Sequence, residues 1–116
     1  MYGKHSTNHY SPLAEGIGIK TLCAGSEMLM SEFLLRKDAL LPAHAHPYEQ
    51  TGYLVSGKIR LYIGEQVQVL VPGDSWSVPK DVPHKAEILE DSVAIEVFSP
   101  VREDYLKFLS PADVLK

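Results

Sequence analysis

The chain of 116 residues holds a single cysteine, Cys23. One thiol cannot close an internal disulfide, so no disulfide framework holds this fold. Cysteine-built zinc modules are excluded as well. Any metal site must draw on histidine, carboxylates and amides. Positive charge is also scarce. Eleven Lys and Arg against fifteen Asp and Glu leave a net charge of −4, which offers no electrostatic footprint for nucleic acid. No apolar run approaches the ~20 residues that span a bilayer. The opening MYGKHSTNHY lacks the apolar stretch of a secretory signal. These absences predict a cytoplasmic protein with no nucleic-acid or membrane partner.

What is present is an ordinary globular balance. Hydrophobic residues make up 45%, charged residues 22%, and Gly and Pro number eight each, which argues against disorder and collagen-like sequence. The length fits one domain of ~100–150 residues. Turn residues recur at short intervals, as in Gly16 and Gly18, Lys37-Asp38, Ser56-Gly57, Pro72-Gly73-Asp74 and Glu90-Asp91. Between them lie short runs rich in Val, Ile, Leu, Tyr and Phe. Many short strands at close spacing predict an all-β sandwich or barrel. Strands are expected near 17–22, 27–36, 50–56, 58–63, 66–71, 75–78, 84–89 and 92–98. Ser56-Gly57 reads as a hairpin turn. The polar residues 1–12 read as an arm before one domain over 13–116. A helix is expected over 101–109, where Val101, Tyr105, Leu106, Phe108 and Leu109 recur at helical spacing. Ser99 would cap it and Pro100 would occupy its first position.

Histidine carries the chemistry. His44 and His46 stand two apart, and alternate side chains of an extended strand share a face. Both imidazoles can then reach one point, as two ligands of one metal must. The proline-framed turn Pro79-Lys80-Asp81-Val82-Pro83 delivers His84 into the next strand. Taken alone, His44 and His46 read as surface residues and His84 as a turn or core residue. Their spacing to neighbours is more specific. Gln50 follows His46 by four and Gly57 follows Gln50 by seven. Gly73 precedes Pro79 by six and His84 follows Pro79 by five.

This pattern resembles the two motifs of the cupin superfamily. The first motif matches from His44 to Gly57 and the second from Gly73 to His84. Four positions depart from it. Asp38 and Asp81 stand where the motifs carry Gly, Gln50 replaces the usual Glu, and Ile88 replaces a frequent Asn. Asp tolerates turn conformations, so those two exchanges preserve the pattern. The resemblance implies a double-stranded β-helix, a jelly-roll barrel with a short C-terminal helix. It also implies one metal held by His44, His46, Gln50 and His84. Glu49 is the rival to Gln50, but an adjacent strand residue faces the other way. Three neutral imidazoles and an amide would leave the charge of a divalent ion uncompensated and suit Mn, Fe, Ni or Zn.

A later segment narrows the expectation. Glu96 sits in the otherwise apolar run Ala94-Ile95-Glu96-Val97-Phe98. If that face points inward, its carboxylate occupies a partly dry cavity and can act as acid or base. Read from the residues alone, Phe98 is equally a core residue and Arg102 equally a surface charge. His46-Pro47-Tyr48-Glu49-Gln50, Tyr53, Gly57 and the run Val97 to Tyr105 are similar to the pectin-degradation cupins, which linearise unsaturated uronates from pectin and alginate. That resemblance implies a 4,5-unsaturated uronate as a small anionic sugar substrate. Phe98 and Arg102 would line its site. Glu96, in place of the family's Asp, would be catalytic together with Arg102. Other cupin chemistry, a dioxygenase or sugar isomerase, stays open, as does a non-catalytic ligand-binding cupin. Trp76 reads as core or interface, His5 and His9 as solvated, and exposed sheet edges predict a homodimer.

Overall fold

From Glu49 to Leu54 the side chains alternate between exposed and buried, one residue at a time. That is the period of a strand with one wet and one dry face. The same logic runs through a computed structural model that describes residues 1–115. Among the described residues the strands are β1 Tyr2–Gly3, β2 Ser11–Ala14, β3 Ile17–Ala24, β4 Leu29–Leu35 and β5 Leu40–His44. They continue as β6 Glu49–Ile63, β7 Gln66–Leu70, β8 Ser75–Val78, β9 His84–Ser99 and β10 Val114–Leu115. About 60% of the chain is strand.

β6 and β9 organise the rest. They pair antiparallel along nearly their whole lengths, from Glu49↔Ser99 to Ile63↔His84. Each half of the ribbon then takes a different outer partner. β8 pairs the first half of β6, and β7 pairs the second. β5 pairs the start of β9, and β4 pairs its end, with β3 and β2 beyond. A bent ribbon flanked in this way closes into the jelly-roll barrel, whose inward residues form one core. Ile19, Leu29, Leu54, Ile88 and Phe98 are among its most buried members.

Two expected turns, Ser56-Gly57 and Glu90-Asp91, are bends inside single strands, β6 and β9. The hairpin at Ser56-Gly57 does not form, because Tyr53 and Ile59 both pair with β9. Gly57 instead lies in a bulged stretch at φ +91°, and a Cβ there would stand 2.1 Å from Ser92 Oγ and 2.4 Å from Asp91 O. Positive φ is what glycine supplies. Asp38 at φ 69° and Asp81 at φ 60° occupy the left-handed region too. These are the two positions where Asp stands for a motif glycine, and Asp is among the residues that tolerate that conformation.

The helix expected over 101–109 is shorter and tighter. It is a 3₁₀ helix over Glu103–Phe108 with Arg102, not Ser99, at its N-cap and no side-chain capping bond. Ser99 belongs to β9. The Tyr105 carbonyl accepts a hydrogen bond from Thr21 Oγ1 at 2.7 Å, and Leu109 bridges to Thr21 of β3. The carbonyl that would accept an α-helical bond from Leu109 is thus engaged elsewhere, and the Leu109 N–H bonds Leu106 O instead.

The polar start of the chain is tied to the barrel at both its ends. β1 pairs β10, and β2 pairs β3. Buried Lys20 of β3 reaches Ser6 O at 3.0 Å, Ser6 Oγ at 2.8 Å and Asp113 Oδ2 at 3.4 Å. His9, read as solvated, is exposed but meets the same Asp113 oxygen at 3.0 Å.

Candidate metal centre and cavity

His44 ends β5 and His84 begins β9, and the two are cross-strand partners. None of the strands expected from the sequence covers β5, so the element that carries His44 emerges only in the fold. His46 follows in the loop to β6. That loop is anchored to the second motif by a hydrogen bond from the Asp81 N–H to the His46 carbonyl at 2.9 Å. The two histidine clusters therefore meet. The ring nitrogens that His44, His46 and His84 offer lie within 4.8 Å of one another. His44 stands at the rim and is exposed, His46 is half-buried and His84 is buried.

Backbone carbonyls orient two of the three rings. His44 Nδ1 lies 2.9 Å from the Pro42 carbonyl and His84 Nδ1 lies 2.9 Å from the Val82 carbonyl. A carbonyl only accepts, so Nδ1 is the donating nitrogen of both rings and Nε2 points away from those carbonyls. Burial, the chief cause, lowers the pKa of His84 and of His46, with Arg102 nearby acting in the same direction. His84 Nε2 is buried and without a hydrogen-bond partner among the described residues. A buried polar atom in that state is costly unless something fills the space before it. Three imidazoles around one point, with buried unpartnered nitrogens on His46 and His84, fit a divalent transition metal.

Gln50 adds an oxygen beside them. It faces inward from β6 while Glu49 faces solvent. The Gln50 Oε1 lies 2.9 Å from His46 Nε2, and its Nε2 donates to Glu96 Oε1 at 2.7 Å. The amide is thereby oriented with its carbonyl toward the histidines and its N–H toward Glu96. Glu96 also accepts the indole N–H of Trp76 at 3.0 Å. Burial pushes the Glu96 pKa up, against the pull of these two donors and of Arg102.

Phe98 and Arg102 complete the wall. Phe98 is buried, and its ring lies 6.0 Å from that of His46. The Arg102 guanidinium sits 3.8 Å above the Tyr105 ring, with Phe98 at 5.0 Å and Tyr48 at 5.1 Å. Asp104 holds it through Nε at 3.3 Å and Nη2 at 2.8 Å. Stacking and a forked ion pair fix the plane of an arginine. His44, Gln50, His84, Glu96, Phe98 and Arg102 line one cavity. Arg102 is therefore not a surface helix charge, nor is the Glu96 face open to solvent. The sequence reading of Trp76 as core or interface misses its bond to Glu96. A signal existed, since an enclosed indole N–H needs an acceptor and a glycine within a strand marks a close approach.

An inward-facing histidine trio inside a bent double-stranded jelly roll defines a small barrel of the metal-site cupin type. Residues 32–99 match the cupin domain family, and the chain belongs to it. It is 29% identical over 99 residues to the pectin degradation protein KdgF of Dickeya dadantii, covering 84% of this chain and 90% of that one. The structure of KdgF from Halomonas sp. superposes with a TM-score of 0.85 at 26% identity, over 90% of this chain and 96% of that one. An RmlC-like cupin from Shewanella frigidimarina gives a TM-score of 0.80 at 30% identity, over 83% and 86%.

Proposed function

We propose that this cupin opens the ring of 4,5-unsaturated uronate monosaccharides to linear 5-keto-4-deoxyuronates. The observation that carries the reading is one carboxylate, Glu96, held inside a cavity with an aromatic-caged arginine and three metal-ready histidines. The likeness to the KdgF proteins supports it. His44, His46, His84 and Gln50 would hold the metal. When bound, such an ion supplies Lewis-acid polarisation at the cavity wall.

The rest is the work of this chain's own residues. The substrate is an anion, and Arg102 presents it a charge already desolvated by three rings. Its Nη1 has no partner among the described residues and can pair with the sugar carboxylate. Phe98 packs against the sugar face and excludes water from it. Glu96 as carboxylate takes the proton of the anomeric hydroxyl. The C1–O5 bond breaks, C1 becomes an aldehyde, and the electrons rest on the enolate of C5. Glu96, now an acid, returns the proton to C4, and C5 becomes a ketone. The reaction is an isomerisation, so Glu96 ends in its starting state. Burial raises its pKa, which makes the carboxyl a better proton acceptor than an exposed glutamate.

The test follows the ultraviolet absorbance of unsaturated galacturonate, which is lost when the alkene disappears. A rate no faster than the spontaneous one overturns the reading. Glu96→Ala should be inactive while keeping its metal.

A further inference from the structure

Trp76, Gly52 and Glu96 form one row across three strands. Gly52 of β6 is the cross-strand partner of Trp76 in β8 on one side and of Glu96 in β9 on the other. The central member has no side chain, so the indole lies across it. A Cβ built on Gly52 would stand 2.1 Å from Trp76 Cε2 and 2.3 Å from Nε1. No real contact is that short, so any other residue at position 52 displaces the ring. Lying across Gly52, the indole reaches the far strand and donates Nε1–H to Glu96 Oε1 at 3.0 Å. The Gln50 Nε2 donates to the same oxygen at 2.7 Å.

We propose that Trp76 is a positioning residue that, through the gap left by Gly52, fixes the Glu96 carboxylate with Oε1 clamped and Oε2 turned to substrate. The proposal deepens the ring-opening reading and rests on Glu96 as the proton carrier. Its geometric basis is independent of the substrate. Among the described residues no hydrogen bond reaches Oε2, whereas Oε1 takes two. Glu has one more side-chain rotor than Asp, and two donors on one oxygen remove the freedom that rotor brings. The clamp also binds proton transfer to the ligand set, because the Gln50 amide holds Glu96 by its N–H and faces His46 with its carbonyl.

Trp76 is the sole tryptophan, so a ¹⁵N-labelled sample shows one indole N–H resonance. That resonance should move upfield in Glu96→Gln, where a neutral amide replaces the charged acceptor, in both metal-loaded and metal-free protein. A resonance unaffected by Glu96→Gln overturns the proposal whatever the activity. Trp76→Phe keeps the ring plane and removes only the donor. It should lower kcat for unsaturated galacturonate roughly 10–100-fold, one charge-assisted hydrogen bond's worth, with KM and metal content unchanged. A fall in stability with unchanged kcat would show a merely structural ring and overturn the proposal. In a Glu96→Gln background Trp76→Phe should have no further effect on turnover. If the wild-type protein does not act on unsaturated uronates yet the resonance responds to Glu96→Gln, the uronate reading fails and the clamp stands.

Discussion

Two polar clusters stand on this barrel, and they differ in one respect. Around Asp113 the side chains meet their partners within the chain. Lys20 finds Ser6 and Asp113, and Asp113 also takes Ser6 and His9. Around His84 the partners run out. His84 Nε2 and His46 Nδ1 are buried with no hydrogen bond among the described residues. A saturated cluster does its work by holding segments together, here both ends of the chain against β3. An unsaturated one keeps donors and acceptors in reserve for something that arrives from outside. The comparison predicts that changes in the first cluster will be read in stability and changes in the second in binding and turnover.

The largest effect is expected from His84→Ala. Outer partners of ligating histidines are worth ~10–100-fold in metal affinity, so loss of a ligand should exceed ~100-fold and abolish turnover. Metal analysis after dialysis against a weak chelator checks this. Similar metal content in variant and parent would break the comparison.

Glu96→Gln comes next. Turnover of unsaturated galacturonate should fall about 10²–10⁴-fold, the range of general acid–base catalysis, with metal retained. The same variant separates function from stability by the sign of its pH dependence. Burial raises the folded-state pKa of Glu96 above its ordinary value of 4.5. Below that ordinary value the carboxyl is neutral folded or unfolded. As pH rises through the folded pKa a charge appears in a dry site, and stability is lost. Metal-free Glu96→Gln should therefore have a higher Tm than its parent at pH 8 and no advantage at pH 4.

Much of this arrangement was readable in the residues. His44, His46 and His84 announced themselves by spacing, and Gln50 by its register to Gly57. Glu96 is conspicuous as a carboxylate in the otherwise apolar run Ala94 to Phe98. What sequence could not supply was the meeting of distant segments. Ser56-Gly57 reads as a turn by its chemistry, but pairing of both flanks with β9 makes it a bend. The C-terminal helix shortened because Thr21, more than eighty residues upstream, takes the Tyr105 carbonyl. Trp76 and Gly52 acquire meaning only when three strands align. The Asp113 cluster was invisible for the same reason, since Ser6 and Asp113 are 107 residues apart.

Lys20→Met tests that cluster. It replaces a buried cation with an apolar chain of similar length and leaves Asp113 short of a partner. The loss should lower Tm by roughly 10 °C, while metal content and kcat stay at parent values, because Lys20 does not line the cavity. A fall in kcat larger than the fall in folded fraction would show that the two clusters communicate.

His9→Ala should have the smallest effect of the series. His9 is exposed and makes one contact with Asp113, at 3.0 Å, whereas Lys20 makes three polar contacts and is only 2% exposed. Solvent screens an exposed pair, so the Tm should drop by roughly 2–4 °C at most. The two changes share Asp113 and should not add. With His9 gone, Lys20→Met leaves Asp113 with Ser6 as its remaining side-chain partner, and the double variant should melt below the sum of the single losses. Additive losses would mean that Asp113 does not join its neighbours into one unit, and that the ends of the chain are held by β1, β2 and β10 alone.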